Sequence, residues 1–293
     1  MSDSKKEKTV KTTLPKKSKT ITKAGYEIGK FYSDKPEVTP ENPATLYKEP
    51  IINNSGSIKD YEITVSDYVA DKLLENNILD NIGPVDSYDS YLIPRHTGEE
   101  KNETNRIEER FAKALFRAHK NNAKEYVNTD LGFIRDYQNP ICRKSDNHDK
   151  KKTNSDSTSD NTGKIDLISV SAKNKEIYLL ELKRKSNEET LLRAVCEIYT
   201  YYKQIKKENL VNELAGDKRI TDCGINAKDF NVVPAVLIFK NSRQHWQYKS
   251  EHFRKVRQLI EKLKIKVFVI SAHIEFDSKN MDNYAQNCTI ICE

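Results

Sequence analysis

The sequence predicts an α/β fold with a mixed central sheet flanked by helices, and three observations carry that prediction. Short runs at 165–170, 177–182 and 232–239 are rich in Ile, Leu and Val, the composition of strands buried on both faces. Residues 105–119 and 188–206 place apolar side chains three and four apart, the period of a helix with one buried stripe. The elements follow the order helix, three strands, helix, strand, helix, strand, which layers helices on a sheet.

Residues 1–50 are rich in Lys, Thr, Pro, Glu and Ser, and the first 24 carry eight lysines against Asp3 and Glu7. That local +6 equals the formal charge of the whole 293-residue chain. It predicts a disordered basic tail over 1–57, an arm suited to nucleic acid; a solubilising tail or linker remnant is the competing reading. Residues 58–102 are expected to form a small extension, with one helical pattern at Val65–Leu74 before Gly83-Pro84. The main domain then spans 103–293.

Its first helix is expected over Asn105–His119, with Ile107, Phe111, Ala114, Leu115 and Ala118 on one stripe. A strand is expected over Leu131–Cys142. Arg143–Thr162 has no apolar side chain in twenty residues and reads as a surface loop; Asp146, His148 and Asp149 within it read as solvated charge rather than as a metal group. Strands at Lys164–Val170 and Glu176–Lys183 are joined by the turn Lys173-Asn174-Lys175, which makes a hairpin. The helix expected at Glu188–Lys206 buries Leu191, Val195, Ile198, Tyr202 and Ile205. Strand Val232–Phe239, a helix near Glu251–Leu263 and strand Lys266–Ile270 complete the layer.

Several function classes are excluded. No apolar run approaches the roughly 18 residues of a membrane span, and the N-terminus lacks the apolar core of a signal peptide. The five cysteines show no paired spacing, so free thiols and a cytoplasmic setting are expected. There is no Walker A loop, Gly-rich dinucleotide turn or Gly-x-Ser-x-Gly elbow. His119, His245 and His252 lack partners for nucleophilic catalysis.

The chemistry concentrates in Gly163-Lys-Ile-Asp166 and Glu181-Leu-Lys183. Unpaired buried charge is expensive, yet these charges interrupt apolar strands. Side chains alternate along a strand, so Glu181 and Lys183 share a face and Leu182 points away. Two carboxylates suit Mg²⁺, and an adjacent ammonium can orient or activate a water. The competing reading is a buried ion pair of Asp166 or Glu181 with Lys183.

With this residue set and element order, the segment 105–270 resembles the PD-(D/E)xK phosphodiesterase superfamily. The resemblance implies a restriction-endonuclease-like core and a Mg²⁺-dependent (or Mn²⁺-dependent) nuclease, with DNA the favoured substrate. Asp166, Glu181 and the Leu182 carbonyl would ligate the metal, and Lys183 would hold or deprotonate the attacking water. The proline that gives the superfamily its name is replaced here by Lys164-Ile165. Many relatives add a first-helix glutamate. Glu108 lies ~60° from the centre of the apolar stripe and Glu109 ~160°, so Glu108 is expected to serve as a second metal ligand or a hydrogen-bond partner and Glu109 to face solvent; a surface helix acid is the competing reading for Glu108.

Some relatives carry Gln-x-x-x-Tyr on the helix after the motif; this chain has Glu197-x-x-x-Tyr201. The resemblance gives Glu197 and Tyr201 a place beside the site, where Glu197 would hold Lys183 or Arg193 and Tyr201 would contact phosphate, and Arg193 on the same stripe suits a phosphate clamp. Arg184 and Lys185 extend the positive charge past the strand end. A solvated helix face is the competing reading for this stripe, and a packing role for Trp246, in the basic and aromatic stretch Arg243–Lys249. The alternative function is a catalytically inactive nucleic-acid-binding or assembly protein on the same fold. Expected partners are nucleic acid and either a second copy or separate partner chains, with no membrane.

Overall fold

The computed structural model describes residues 20–21, 27–28, 42–58, 63–85, 90–93, 96–99, 106–120, 122–141 and 163–293. Most of the basic tail and the loop carrying Asp146, His148 and Asp149 lie outside these residues. Six strands stand side by side in chain order: β1 (Phe133–Pro140), β2 (Lys164–Ser171), β3 (Glu176–Lys183), β4 (Asn231–Phe239), β5 (Lys266–Ala272) and β6 (Cys288–Cys292). β1, β2 and β3 form an antiparallel meander; β3, β4 and β5 are parallel; β6 returns antiparallel. The sheet is therefore mixed, as the element order predicts.

Helices cover both faces: α1 (Val65–Asn76), α2 (Ile107–Lys120), α3 (Leu191–Gln204), α4 (Lys207–Ala215), α5 (Arg243–Lys249), α6 (Arg254–Lys262) and α7 (Met281–Asn287). The alternation of β3 sorts the layers. Ile177 and Leu179 pack with Val195 and Ile198 of α3, Val69 of α1 and Leu259 of α6. Tyr178, Leu180 and Leu182 pack with Phe111 and Leu115 of α2 and Tyr284 of α7. By the same parity Glu181 and Lys183 lie on the α3 side. A parallel step from β3 to β4 needs a crossover, and α3 begins that crossover beside the strand end that carries both charges.

The boundary of the tail differs from the expectation. Residues 43–48 form a 3-10 helix capped by Asn42, and Leu46, Tyr47, Ile52 and Ile58 are buried in the α3-side core. Few apolar residues spread through polar sequence give no periodic signal, yet all four join the core on the α3 side. Likewise, α4, α5, α7 and β6 are not predicted by the pattern. β6 is an edge strand with Ile291 45% exposed, so it lacks a buried apolar run. Among the described residues, no helix is long and apolar enough to cross a membrane.

Candidate active site

Asp166, Glu181, Glu108, Arg184, Glu197 and Tyr201 line one cleft of about 740 Å³, together with Gln138, Gly163, Asn187 and Glu189. The register explains the first pair. The β2–β3 ladder runs to Leu167–Leu180, and Asp166 and Glu181 are the next residues of the two strands. There the backbone ladder yields to a side chain: the Leu182 N–H donates to Asp166 Oδ2 at 2.8 Å.

The strand is irregular at this point. Ile165 and Ile168 both pack in the α3-side core, which strict two-residue alternation forbids. On the neighbouring strand, Tyr137 pairs with Leu167 and Asn139 with Ile165, which sets Gln138 opposite Asp166. Gln138 has φ of 51°, a left-handed conformation that costs an L-residue roughly 1–2 kcal/mol. Its Nε2 donates to Asp166 Oδ1 at 2.6 Å. Both Asp166 oxygens are thus held by donors, and strain sits where a functional side chain is aimed. Gln138→Gly should remove the strain and the hydrogen bond together, and Gln138→Ala the hydrogen bond alone. Urea unfolding is expected to place Gln138→Ala about 1 kcal/mol below Gln138→Gly.

Lys183 is 3% exposed and is surrounded by carboxylates. Its Nζ lies 2.7 Å from Glu181 Oε1, 2.6 Å from Glu189 Oε2 and 3.3 Å from Glu197 Oε2. An ammonium has three N–H donors, so each has an acceptor. Behind it, the Tyr201 hydroxyl donates to Glu197 Oε1 at 2.8 Å and lies 3.4 Å from the Tyr47 hydroxyl. Gly163 is required here: a Cβ would come within 2.0 Å of the Tyr201 hydroxyl.

The electrostatics follow from crowding. Burial, then the charges of Asp166 and Glu197, push the Glu181 carboxyl well above its ordinary value, and Lys183 only partly offsets them. Burial raises Asp166 to about 7 against the opposing pull of Lys183 and the Leu182 N–H. Burial acts to lower Lys183, but the charges of Glu181, Glu197, Glu189 and Asp166 overcome it and hold the ammonium charged. Lys183 in this cage is a donor that orients, and deprotonation of water by it is disfavoured.

Glu108 reaches the same cleft from α2, the opposite layer. Its Oε1 accepts from the Arg184 N–H at 3.2 Å and from Asn187 Nδ2, so it ties down the chain after β3, and its charge helps raise Asp166. Glu109 also lines the cleft and pairs with Arg106 at 3.1 Å, its side chain 20% exposed. The angular argument therefore separates the two acids less than expected, because the cleft wraps around the start of α2.

Tyr201 is 3% exposed. Glu197, expected to hold Lys183 or Arg193, pairs with Lys183, and the hydroxyl of Tyr201, for which a phosphate contact is expected, is spent on Glu197. Arg193 Nε lies 3.1 Å from Glu189 Oε1. Lys185 is exposed in the turn after β3. The basic and aromatic stretch after β4 is α5, and it braces the cleft. Gln244 Nε2 donates to the Glu189 carbonyl at 2.6 Å, Gln247 Oε1 accepts from the Leu191 N–H at 2.6 Å, and Arg243 donates to the Glu188 carbonyl. Trp246 packs edge-on against Phe253 with ring centroids 5.5 Å apart, the packing role weighed for it. The 42–58 segment adds Asn53, whose Oδ1 accepts from the Thr190 N–H at 2.8 Å.

The donor set suits a hard cation. The cleft presents Glu108, Glu109, Asp166, Glu181, Glu188, Glu189 and Glu197 against Arg106, Lys164 and Arg184, an excess of negative charge. Among the described residues, no three of His, Cys, Asp or Glu form a ready-made metal cage. A Mg²⁺ ion takes one or two carboxylates and completes its shell with water and substrate phosphate. Comparison with family models, with curated proteins and with solved structures gives no match.

Proposed function

We propose that this chain is a Mg²⁺-dependent phosphodiesterase that hydrolyses nucleic acid, with DNA the favoured substrate, on a restriction-endonuclease-like core of the PD-(D/E)xK type. One observation carries the reading. Two carboxylates raised by their surroundings and a caged ammonium meet at the end of adjacent strands, in a cleft whose acidic side chains outnumber its basic ones. Such an arrangement is unfavourable for folding alone and is explained by a cation that both carboxylates share.

Asp166 and Glu181 would hold the metal, with the Leu182 carbonyl as a third oxygen. A cation there supplies Lewis-acid charge neutralisation at the scissile phosphate and acidity to a water. Gln138 and the Leu182 N–H fix the rotamer of Asp166. Lys183 would orient an oxygen at the reacting phosphate while Glu197, itself held by Tyr201, positions its Nζ. Glu108 keeps the turn after β3 closed over the cleft. Hydrolysis forms one P–O bond from water and breaks one ester P–O bond, leaving a phosphate monoester and a hydroxyl.

The full engagement of the Lys183 donors favours a second reading, a binding module without turnover. Incubation of purified protein with supercoiled plasmid, single-stranded DNA and RNA, with Mg²⁺ or with EDTA, separates the two. The proposal expects Mg²⁺-dependent strand cleavage that Glu181→Gln removes. Salt-sensitive binding without cleavage would favour the binding module.

A further inference from the structure

We propose that the Glu189 carboxylate holds the place of a substrate phosphate, bridging Lys183 and Arg193 until a phosphodiester of the nucleic acid displaces it. The inference rests on the phosphodiesterase reading and adds to it a built phosphate subsite and its latch. Glu189 offers one oxygen to each cation, Oε2 to Lys183 Nζ at 2.6 Å and Oε1 to Arg193 Nε at 3.1 Å. This is the two-oxygen bridge that a phosphate makes between cations.

Of the three acids around Lys183, Glu189 is the one able to leave. Glu181 is on β3 and Glu197 on α3, with side chains 6% and 15% exposed, whereas Glu189 lies in the connection between those elements and is 26% exposed. Its backbone is fixed on both sides: the N–H donates to Asn187 Oδ1 and the carbonyl accepts from Gln244 Nε2, both at 2.6 Å. Side-chain rotation alone would therefore uncover the cations. Glu189 is part of the cleft lining, while its partners Lys183 and Arg193 are not.

Arg193 supplies an independent sign. Its Nε is buried and makes no hydrogen bond despite the nearby carboxylate oxygen. A carboxylate in this position leaves the guanidinium edge unsatisfied, and a phosphate has a further oxygen to offer it. Exchange of a singly charged carboxylate for a singly charged phosphodiester also leaves the charge balance around Lys183 unchanged.

The test is binding of a fluorescent DNA duplex in EDTA, read by anisotropy on the full chain. Glu189→Gln should bind about 5–10-fold tighter than the parent. Glu188→Gln, at a cleft acid with no ion pair to Lys183 or Arg193 among the described residues, should gain less than about 2-fold from loss of the same charge. Arg193→Gln should weaken binding more in the Glu189→Gln background than in the parent, where Glu189 already occupies Arg193. If Glu189→Gln fails to fold, Glu189→Asp, one methylene shorter, carries the same expectation. Binding of Glu189→Gln that is equal to or weaker than the parent, equal gains for both acids, or no DNA binding by any variant overturns the latch. Parent cleavage in Mg²⁺ is scored separately. Tighter binding without cleavage retains the latch and loses the hydrolase, and cleavage without tighter binding does the reverse.

Discussion

Asp166→Asn should abolish cleavage and, in metal-free buffer above neutral pH, make the protein more stable. The first effect follows from loss of a ligand to the cation, with a fall of about 10³-fold or more, several kcal/mol of charge stabilisation at ~1.4 kcal/mol per decade. The second follows from linkage. The folded carboxyl is raised from 3.8 to about 7, so its stabilising contribution is complete below pH 4 and is lost as pH rises to 7. An upper bound on that loss is about 4 kcal/mol at ~1.4 kcal/mol per unit. The carboxyl opens on the cleft and is screened by water, so a gain of ~1–2 kcal/mol is expected. Asparagine carries no charge to desolvate and keeps an acceptor for the Leu182 N–H. Thermal melting at pH 4, 6 and 8 without metal checks this: the advantage of Asp166→Asn over the parent should grow with pH.

Lys183→Met should have the opposite effect on the fold and a similar effect on turnover. It removes the cation that Glu181, Glu189 and Glu197 share and leaves buried carboxylates facing one another. Loss of one partner from a buried ion pair costs about 3–5 kcal/mol. Protonation relieves the repulsion, so the loss should be larger at pH 8 than at pH 5. Cleavage should drop by about 10²-fold or more, the scale of a lost proton-transfer or orienting group. Mg²⁺ affinity should hold or rise, because a positive charge beside the cation is gone. Urea unfolding at both pH values, beside a nicking assay, separates the two effects. Normal cleavage by Lys183→Met would make the lysine structural.

The parts of the site that the sequence reveals are those set by local periodicity. Glu181 and Lys183 share a face because a strand alternates, and a short turn fixes the hairpin register as far as Leu167–Leu180, beside Asp166 and Glu181. The order of strands and helices is legible for the same reason. Gln138 is not legible: its role depends on a left-handed backbone and an irregular strand, and glutamine has no signature for either. Glu189 is equally hidden, since its reach to Lys183 depends on Gln244 and Asn187 folding the connection after β3. Tyr201 is placed on the correct helix by its spacing, but its direction is decided by Glu197 and by the empty volume at Gly163. The 42–58 segment looks like tail because its four buried apolar side chains are spread among polar residues, and long-range packing in the α3-side core decides their fate.

Titration calorimetry of Mg²⁺ into the metal-free protein at pH 7, repeated in two buffers of different ionisation enthalpy, tests the central claim most directly. A cation that replaces protons on a raised acid pair must release them on binding. The account predicts saturable Mg²⁺ binding whose heat depends on the buffer, a release that shrinks in Asp166→Asn and in Glu181→Gln. Absence of Mg²⁺ binding, or binding that neither substitution alters, would contradict it.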